Sequence, residues 1–151
     1  MSEPYAALKL ENQLCFPLYA AARAVIRQYT PCLGELDLTY TQYIALMVLW
    51  EEKRCSVKEL GKKLYLDSGT LTPLLKSMEK KGLIQRSRSA EDERSVIVEL
   101  TEAGWALREQ ALSVPGRVAA CVRLDQSEAA ALYQLLYKVL DELNREKGED
   151  A

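Results

Sequence analysis

Apolar residues follow a helical spacing along almost the whole chain. The one place where this spacing changes constrains the fold more than any other feature of the sequence. Apolar residues recur at intervals of three and four through most of the sequence, which is typical of amphipathic helices. Only residues 83–88 and 96–100 read as strands, and the charged stretch 89–95 between them indicates a hairpin tip. The sequence therefore predicts a mainly α fold with a small β-wing.

Capping residues and helix breakers divide the remaining pattern into separate helices. We predict a first helix over residues 14–33 that Pro31 and Gly34 bring to an end, with Cys15 at or just before its start. Thr41 is the expected N-cap of a second helix. After the hairpin the helical spacing returns, and the chain closes with its most regular amphipathic stripe.

Two short helices lie between the second helix and the hairpin. Ser56 and Glu59 have the spacing of a capping box and open the first of them. Asp67 precedes the second, and Gly82 follows it as a C-terminal stop. Two capped helices joined by a tight turn form a helix-turn-helix, whose second helix enters the major groove of DNA. With the hairpin as its wing, the segment 39–100 is predicted to be a winged helix-turn-helix DNA-binding domain.

The charge distribution supports this interpretation. Residues 53–94 hold eleven Lys and Arg against six acidic residues, whereas the rest of the chain holds nine against sixteen. Since the net charge of the whole chain is −2, the basic character is confined to the predicted DNA-binding region. A solvated charged face is the alternative interpretation, and the architecture beneath the charge favours DNA.

Candidate DNA contacts follow from this architecture. The start of the second short helix offers small hydroxyl and backbone groups that can bond bases or phosphates, at Ser68, Gly69, Thr70 and Thr72. Lys76 lies further along the same helix, outside its apolar face. The wing carries three arginines that can reach an adjacent minor groove, Arg86, Arg88 and Arg94. Asp92 is expected to orient the Arg94 guanidinium.

The acidic remainder, residues 1–38 and 101–151, is predicted to be a helical dimerisation region. Its terminal helices have apolar faces too large for the central unit to cover. A homodimer would bury these faces and would set two reading helices about one DNA turn apart, on a pseudo-palindromic operator. Closure of a monomeric core by the same helices is the alternative.

Composition excludes several chemistries. The chain has no histidine, which rules out Ser-His-Asp and Cys-His catalysis and most zinc sites. Its four cysteines lie far apart without a CxxC pair, so we expect no metal and no cofactor. No apolar run approaches the ~20 residues of a membrane span, and no secretory signal opens the sequence. A cytoplasmic protein with reduced thiols is therefore expected.

Three segments resemble one known family. Residues 92–104 (DERSVIVELTEAG) look like the wing motif of MarR-type transcriptional regulators. Residues 66–75 (LDSGTLTPLL) resemble the reading helix of one branch, the organic-hydroperoxide sensors. Residues 12–19 (NQLCFPLY) are similar to the sensing-cysteine segment of that branch. The likeness extends over nearly the whole chain, from about residue 10 to residue 143.

The resemblance implies a homodimeric repressor that releases its operator DNA when an organic hydroperoxide oxidises Cys15. In the family, two tyrosines of the partner subunit support the cysteine, and Tyr29 and Tyr40 fall at the matching positions. Tyr19, within the cysteine segment, matches a further family tyrosine. Reaction with a peroxide needs a thiolate, which a helix N-terminus, tyrosine hydroxyls and a nearby cation can all stabilise.

The family divides over the second thiol, which traps the sulfenic acid formed first. Two-cysteine members use a resolving cysteine near the start of the last helical region, where Cys121 falls. One-cysteine members use a small-molecule thiol instead. We expect a Cys15–Cys121 disulfide, with a buried structural role for Cys121 as the alternative. Cys32 and Cys55 match no sensing position.

Other functions remain open at this point. A MarR-type repressor released by a phenolic ligand would leave Cys15 with a structural role. A peroxidase would share the thiol chemistry, but the sequence lacks the strand–helix alternation of a thioredoxin fold, so no enzymatic activity is expected. An interaction module that does not act on DNA is a weaker option, and a DNA affinity that did not fall with salt would support it.

Overall fold

The computed structural model describes the backbone of residues 3–149 and the side chains of residues 3–145. Two short 3₁₀ turns, Ala6–Leu8 and Leu10–Asn12, precede the first helix. The helices are α1 Cys15–Gly34, α2 Tyr40–Glu52, α3 Val57–Leu64, α4 Ser68–Lys80, α5 Glu102–Ala111, α6 Val114–Val122 and α7 Gln126–Glu149. The strands are β1 Arg54–Ser56, β2 Ile84–Arg88 and β3 Val96–Leu100. Residues up to Val118 form one compact unit, and those from Ala119 onward form a second.

The predicted mainly α fold with a β-wing is confirmed. The turn between α3 and α4 makes the helix-turn-helix, and the antiparallel pair β2–β3 makes the wing. The Ser56–Glu59 capping box opens α3, and the Asp67 carboxylate accepts a 2.8 Å hydrogen bond from the Thr70 N–H at the start of α4. Local sequence signals therefore decide where both helices of the DNA-reading motif begin.

Two expectations about helix ends were wrong. Thr39, not Thr41, is the N-cap of α2: its hydroxyl accepts from the Gln42 N–H, and the Gln42 side chain accepts from the Thr39 N–H. This capping box satisfies two backbone donors, which Thr41 could not do at its position. Pro31 does not end α1, which runs on to Gly34. The helix continues past Pro31 because the proline removes only one backbone donor and only a single short turn follows it.

A third strand was not predicted. Residues of β1 pair antiparallel with β3, so the strand order in the sheet is β1-β3-β2. Cys55 lies opposite Val98 in this pairing, and both are buried. Three residues are too few to show a hydrophobic period, and the pairing depends on β3, which lies some forty residues further along the chain.

The core of the first unit lies beneath the helix-turn-helix and the wing. Its fully buried side chains come from every element of that motif: Leu46, Leu49, Leu60, Leu71, Leu75, Met78, Ile84 and Val98. Gly82 has a φ of +74°, a conformation that suits glycine, and it separates α4 from β2. The packed core therefore holds the reading helix and the wing as one body.

Both units expose large apolar side chains. In the first unit most of them lie along α1 and the segment before it, at Tyr5, Leu8, Leu10, Leu14, Phe16, Leu18, Tyr19 and Ile26. In the second unit they lie mainly along α7, at Leu132, Tyr133, Leu135, Tyr137, Val139 and Leu143. Contiguous exposed apolar faces of this kind are characteristic of interfaces with another molecule.

Candidate functional site

Cys15 is the first residue of α1, as predicted, and its side chain is exposed. No side chain among the described residues caps this helix end, whereas hydroxyl or carboxylate side chains cap α2, α3, α4 and α5. The N–H groups at the start of α1 and the positive end of its dipole therefore lie at the end of the helix that carries Cys15. Such a helix end stabilises a thiolate.

Tyr19 lies one helical turn beyond Cys15, and Arg23 lies one turn beyond Tyr19. The guanidinium of Arg23 donates a 3.1 Å hydrogen bond to the Tyr19 hydroxyl, and its carbon lies 5.4 Å from the centre of the Tyr19 ring. Cys15, Tyr19 and Arg23 are thus spaced four residues apart along one helix face. The sequence reasoning left the position of a cation open, although this spacing could have indicated Arg23.

Tyr29 and Tyr40 are brought together, as their predicted shared role requires. Their ring centres are 4.8 Å apart, and Tyr43 completes the cluster with its ring centre 5.9 Å from that of Tyr29. Burial, and to a lesser degree the neighbouring Tyr29, raises the pKa of the Tyr40 hydroxyl and that of the Tyr43 hydroxyl. At neutral pH both hydroxyls are therefore protonated and able to donate a hydrogen bond to an anion.

This tyrosine cluster is far from the cysteine of its own chain. Tyr29 follows Cys15 by fourteen residues of the continuous helix α1, which corresponds to about 21 Å at ~1.5 Å per residue. Of the three predicted supporting tyrosines, only Tyr19 lies near Cys15 within one chain. Tyr43 was missed by sequence reasoning, as was Trp50, whose ring centre is 6.5 Å from that of Tyr43.

The other cysteines lie in different surroundings. Cys121 lies on α6 and is exposed, so a buried structural role within one chain is excluded. Cys32 and Cys55 are buried. Burial, followed by the carboxylates of Glu59 and Glu52, raises the pKa of the Cys55 thiol to about 11. Cys55 therefore stays protonated and packs as a small apolar residue.

The N-terminal half of α4 presents the predicted DNA contacts. Leu71, Leu75 and Met78 of this helix are buried, whereas the predicted contact residues are all exposed: Ser68, Gly69, Thr70, Thr72 and Lys76. The Thr72 hydroxyl donates to the Ser68 carbonyl at 2.8 Å, and its oxygen still has a lone pair for a further donor. This surface has the form of a reading helix.

The wing residues have more varied roles than the sequence indicated. Arg86 is half-buried, and its Nε donates to Glu79 of α4 at 2.6 Å, which ties the wing to the reading helix. Arg88 donates to the Glu93 carbonyl at 2.8 Å. The Asp92 carboxylate accepts from the backbone N–H of Arg94 at 3.0 Å, so Asp92 shapes the tip of the wing through the backbone. Arg94 itself is exposed.

Fold and site together define a winged helix-turn-helix protein of the DNA-binding regulator class, with an exposed cysteine at a helix N-terminus. Its helices in the described part of the chain are too short or too polar to cross a bilayer. The family model for the transcriptional regulator SarA/Rot matches residues 27–110. The organic hydroperoxide resistance transcriptional regulator of Bacillus subtilis is 48% identical over 145 residues, which cover 96% of this chain and 99% of that protein.

Solved structures of two regulators are also similar. Overoxidised AbfR bound to DNA, a protein of Staphylococcus epidermidis, is 33% identical with a TM-score of 0.74, over 93% of this chain and 99% of that one. Its disulfide form is 34% identical with a TM-score of 0.65, over 90% and 93% of the two chains. A mutant MarR of E. coli in complex with operator DNA is 29% identical with a TM-score of 0.79, over 92% and 99%.

The chain belongs to the MarR-type family of transcriptional regulators, in the branch of the organic hydroperoxide resistance regulators. The family resemblance seen in the three sequence segments is thereby confirmed.

Proposed function

We propose that this protein is a redox-sensing repressor that binds operator DNA when reduced and releases it when an organic hydroperoxide oxidises Cys15. The observation that carries the proposal is the exposed thiol at the N-terminus of α1, where no described side chain competes for the helix N–H groups. The name of the Bacillus subtilis relative and the DNA-bound, overoxidised and disulfide forms of AbfR support it.

The chemistry proceeds in two balanced steps. The Cys15 thiolate attacks the terminal oxygen of the hydroperoxide and the O–O bond breaks. The alkoxide that leaves takes up one proton and becomes an alcohol. Cys15 is thereby oxidised to a sulfenic acid. A second thiol then attacks the sulfenic sulfur, a disulfide forms, and water leaves. We propose Cys121 as that second thiol, since it is exposed on α6, and a small-molecule thiol is the competing candidate.

We propose that the active form is a homodimer. Tyr29 lies about 21 Å from Cys15 along α1, and Tyr40 packs against Tyr29, so their support of the thiolate requires the tyrosines of a second copy. The exposed apolar faces of the terminal segments supply a surface for that copy. In this arrangement residues 1–38 and 101–151 join the subunits and residues 39–100 read DNA.

The proposed DNA contacts are made by α4 in the major groove and by the wing. We assign the major-groove contacts to the exposed residues of α4, Ser68, Gly69, Thr70, Thr72 and Lys76. Arg94 and Arg88 are assigned to the minor groove. Arg86 and Asp92 are assigned to holding the wing in position, because their side chains bond within the protein. Because operator DNA is the proposed target, we propose that the protein acts in the cytoplasm.

The proposal is tested by mass analysis without reductant after one equivalent of cumene hydroperoxide, alongside DNA binding of each product. We expect first the gain of one oxygen on the peptide that contains Cys15, then a disulfide and loss of DNA affinity. Cys15→Ser is expected to bind the same DNA and to ignore the hydroperoxide. If the hydroperoxide releases Cys15→Ser normally, or if wild-type protein ignores the hydroperoxide and is released only by a phenol, the redox proposal is wrong.

The role of Cys121 is tested separately. Cys121→Ser, without added thiol, is expected to accumulate oxidised Cys15 with no disulfide. Addition of a small thiol such as cysteine should restore a mixed disulfide and the response of DNA binding. A normal response of Cys121→Ser in the absence of any small thiol would exclude it as the resolving residue.

A further inference from the structure

Gln42 is the one buried polar side chain among residues 3–145, with 3% of its surface exposed. Its amide is bonded on both sides. The Oε1 atom accepts from the Thr39 N–H at 3.1 Å and from the Lys81 ammonium at 3.1 Å. The Nε2 atom donates to the Ser77 hydroxyl at 3.0 Å. A buried amide of this kind is expensive to desolvate and is stable only while its partners hold their positions.

These bonds connect two elements that have different tasks in the proposed function. Thr39 is the N-cap of α2, and the next residue is Tyr40 of the tyrosine cluster. Ser77 lies in the last turns of the reading helix α4, and Lys81 is its C-cap. Lys81 also donates to the Asp37 carbonyl in the turn between α1 and α2. One amide therefore joins the start of α2 to the C-terminal end of α4.

Apolar side chains also hold α2 against α4. Leu46 of α2 and Leu75 and Met78 of α4 are fully buried in the same core, and apolar contacts of this kind hold helices together without fixing one register. Directional hydrogen bonds between buried groups do fix a register. A Met at position 42 would fill a similar volume, so the presence of Gln points to positioning.

We propose that Gln42 is a positioning residue that couples the tyrosine end of α2 to the reading helix. The inference rests on the proposed function, in which oxidation of the cysteine alters its contact with Tyr40. Any shift of the α2 N-terminus that follows must break the bonds of Gln42 or carry Ser77 and α4 with it. The reading helix then moves relative to its partner in the dimer, and the fit to both half-sites is lost.

The test compares operator affinity before and after oxidation. The probe is a fluorescein-labelled duplex that reduced wild-type protein selects from a random pool, and the measured quantity is the ratio of the Kd after cumene hydroperoxide to the Kd before it. The variants are Gln42→Met, Ser77→Ala and the double variant. Gln110→Met is the matched control, because it makes the same change at an exposed position.

We expect Gln42→Met and Ser77→Ala each to reduce this ratio about fivefold or more, the lower end of usual allosteric couplings, while Gln110→Met leaves it unchanged. The double variant should be no worse than Gln42→Met, because Gln42→Met already removes the Gln42–Ser77 bond that Ser77→Ala breaks. Should Gln42→Met fail to fold, Ser77→Ala alone carries the test.

An unchanged ratio in folded Ser77→Ala and Gln42→Met would overturn the inference, even if their thermal midpoints fall, since that result assigns the amide to stability alone. Failure of wild-type protein to respond to hydroperoxide would overturn the proposed function and this inference together. If wild-type protein and the variants respond equally to hydroperoxide, only the proposed role of Gln42 is overturned.

Discussion

At the scale of single residues, the proposed chemical role of Tyr40 depends on its hydroxyl, whereas its packing depends on its ring. Its ring packs 4.8 Å from that of Tyr29, and burial keeps the phenol protonated by raising its pKa. Tyr40→Phe retains the ring and removes only the hydroxyl, the proposed donor to the thiolate. We expect the rate of Cys15 oxidation to fall about tenfold, equivalent to ~1.4 kcal/mol, as measured by stopped-flow mass analysis. Exposed Tyr5→Phe is the control, and equal rates would exclude hydroxyl support.

The four cysteines should differ in reactivity toward iodoacetamide at pH 8. Cys15 and Cys121 are exposed and should be labelled in the native protein. Buried Cys32 should not be labelled, nor should Cys55, whose pKa of about 11 leaves roughly one molecule in a thousand as thiolate. Raising the pH toward 11 should increase the thiolate fraction of Cys55. Peptide mass mapping measures the pattern, and rapid native labelling of Cys55 would show that the β1–β3 pairing opens.

Residue-level prediction from sequence succeeded where a residue's role depends on its neighbours along the chain. Cys15 at a helix start follows from Pro17 and the apolar spacing that comes after it. Asp92 bonds the backbone N–H of Arg94 and not its guanidinium, and sequence could not indicate this choice because it depends on the shape of the wing tip. The Gln42 network was invisible in the sequence, since Ser77 lies 35 residues away from Gln42.

At the scale of elements, caps and glycine stops predicted the two helices of the DNA-reading motif, because these signals act within a few residues. The strand β1 was missed, since it exists only through pairing with β3. The two-residue error at the start of α2 has a similar origin: Thr39 and Thr41 are both acceptable caps, and the buried Gln42 selects Thr39.

The close approach of α5 to the wing gives a test at this scale. A Cβ on Gly104 would overlap the Leu83 carbonyl oxygen and would lie 2.9 Å from a Leu100 methyl group. We expect Gly104→Ala to destabilise the fold by about 3 kcal/mol, at the upper end of overpacking costs. Urea unfolding at one protein concentration measures the change.

The control for this test is Gly34→Ala in α1. No heavy atom of the described chain outside the local helix lies within 4 Å of the added Cβ at that position, and alanine favours the helix by up to ~1 kcal/mol. A Gly104→Ala variant as stable as wild type would show that α5 moves easily away from β2.

At the scale of the whole molecule, each chain holds the groups of the proposed sensor at two separate places. Cys15 and Tyr19 lie at one end of α1, and the Tyr29–Tyr40 cluster lies near the other. In the proposed symmetric pair, the cysteine of one copy meets the tyrosines of the other. Peroxide sensing and the spacing of the two reading helices then both depend on the contact between the subunits. An isolated chain should therefore neither sense peroxide nor bind a palindromic site tightly.

Disruption of the apolar face of α7 tests that dependence. Leu135 is 61% exposed in the single chain, and a carboxylate there would be buried without a partner in a dimer. Leu135→Glu should therefore be monomeric at micromolar concentration in sedimentation analysis. Its operator affinity should be at least a hundredfold weaker, because a dimer binds tightly only when its two reading helices contact both half-sites at once. Neighbouring Gln134→Glu adds the same charge at a position that is already polar, and it should remain dimeric. If Leu135→Glu stays dimeric and keeps tight DNA binding, α7 lies outside the interface, and the dimer must be held by other surfaces, of which the exposed face of α1 is the next to test.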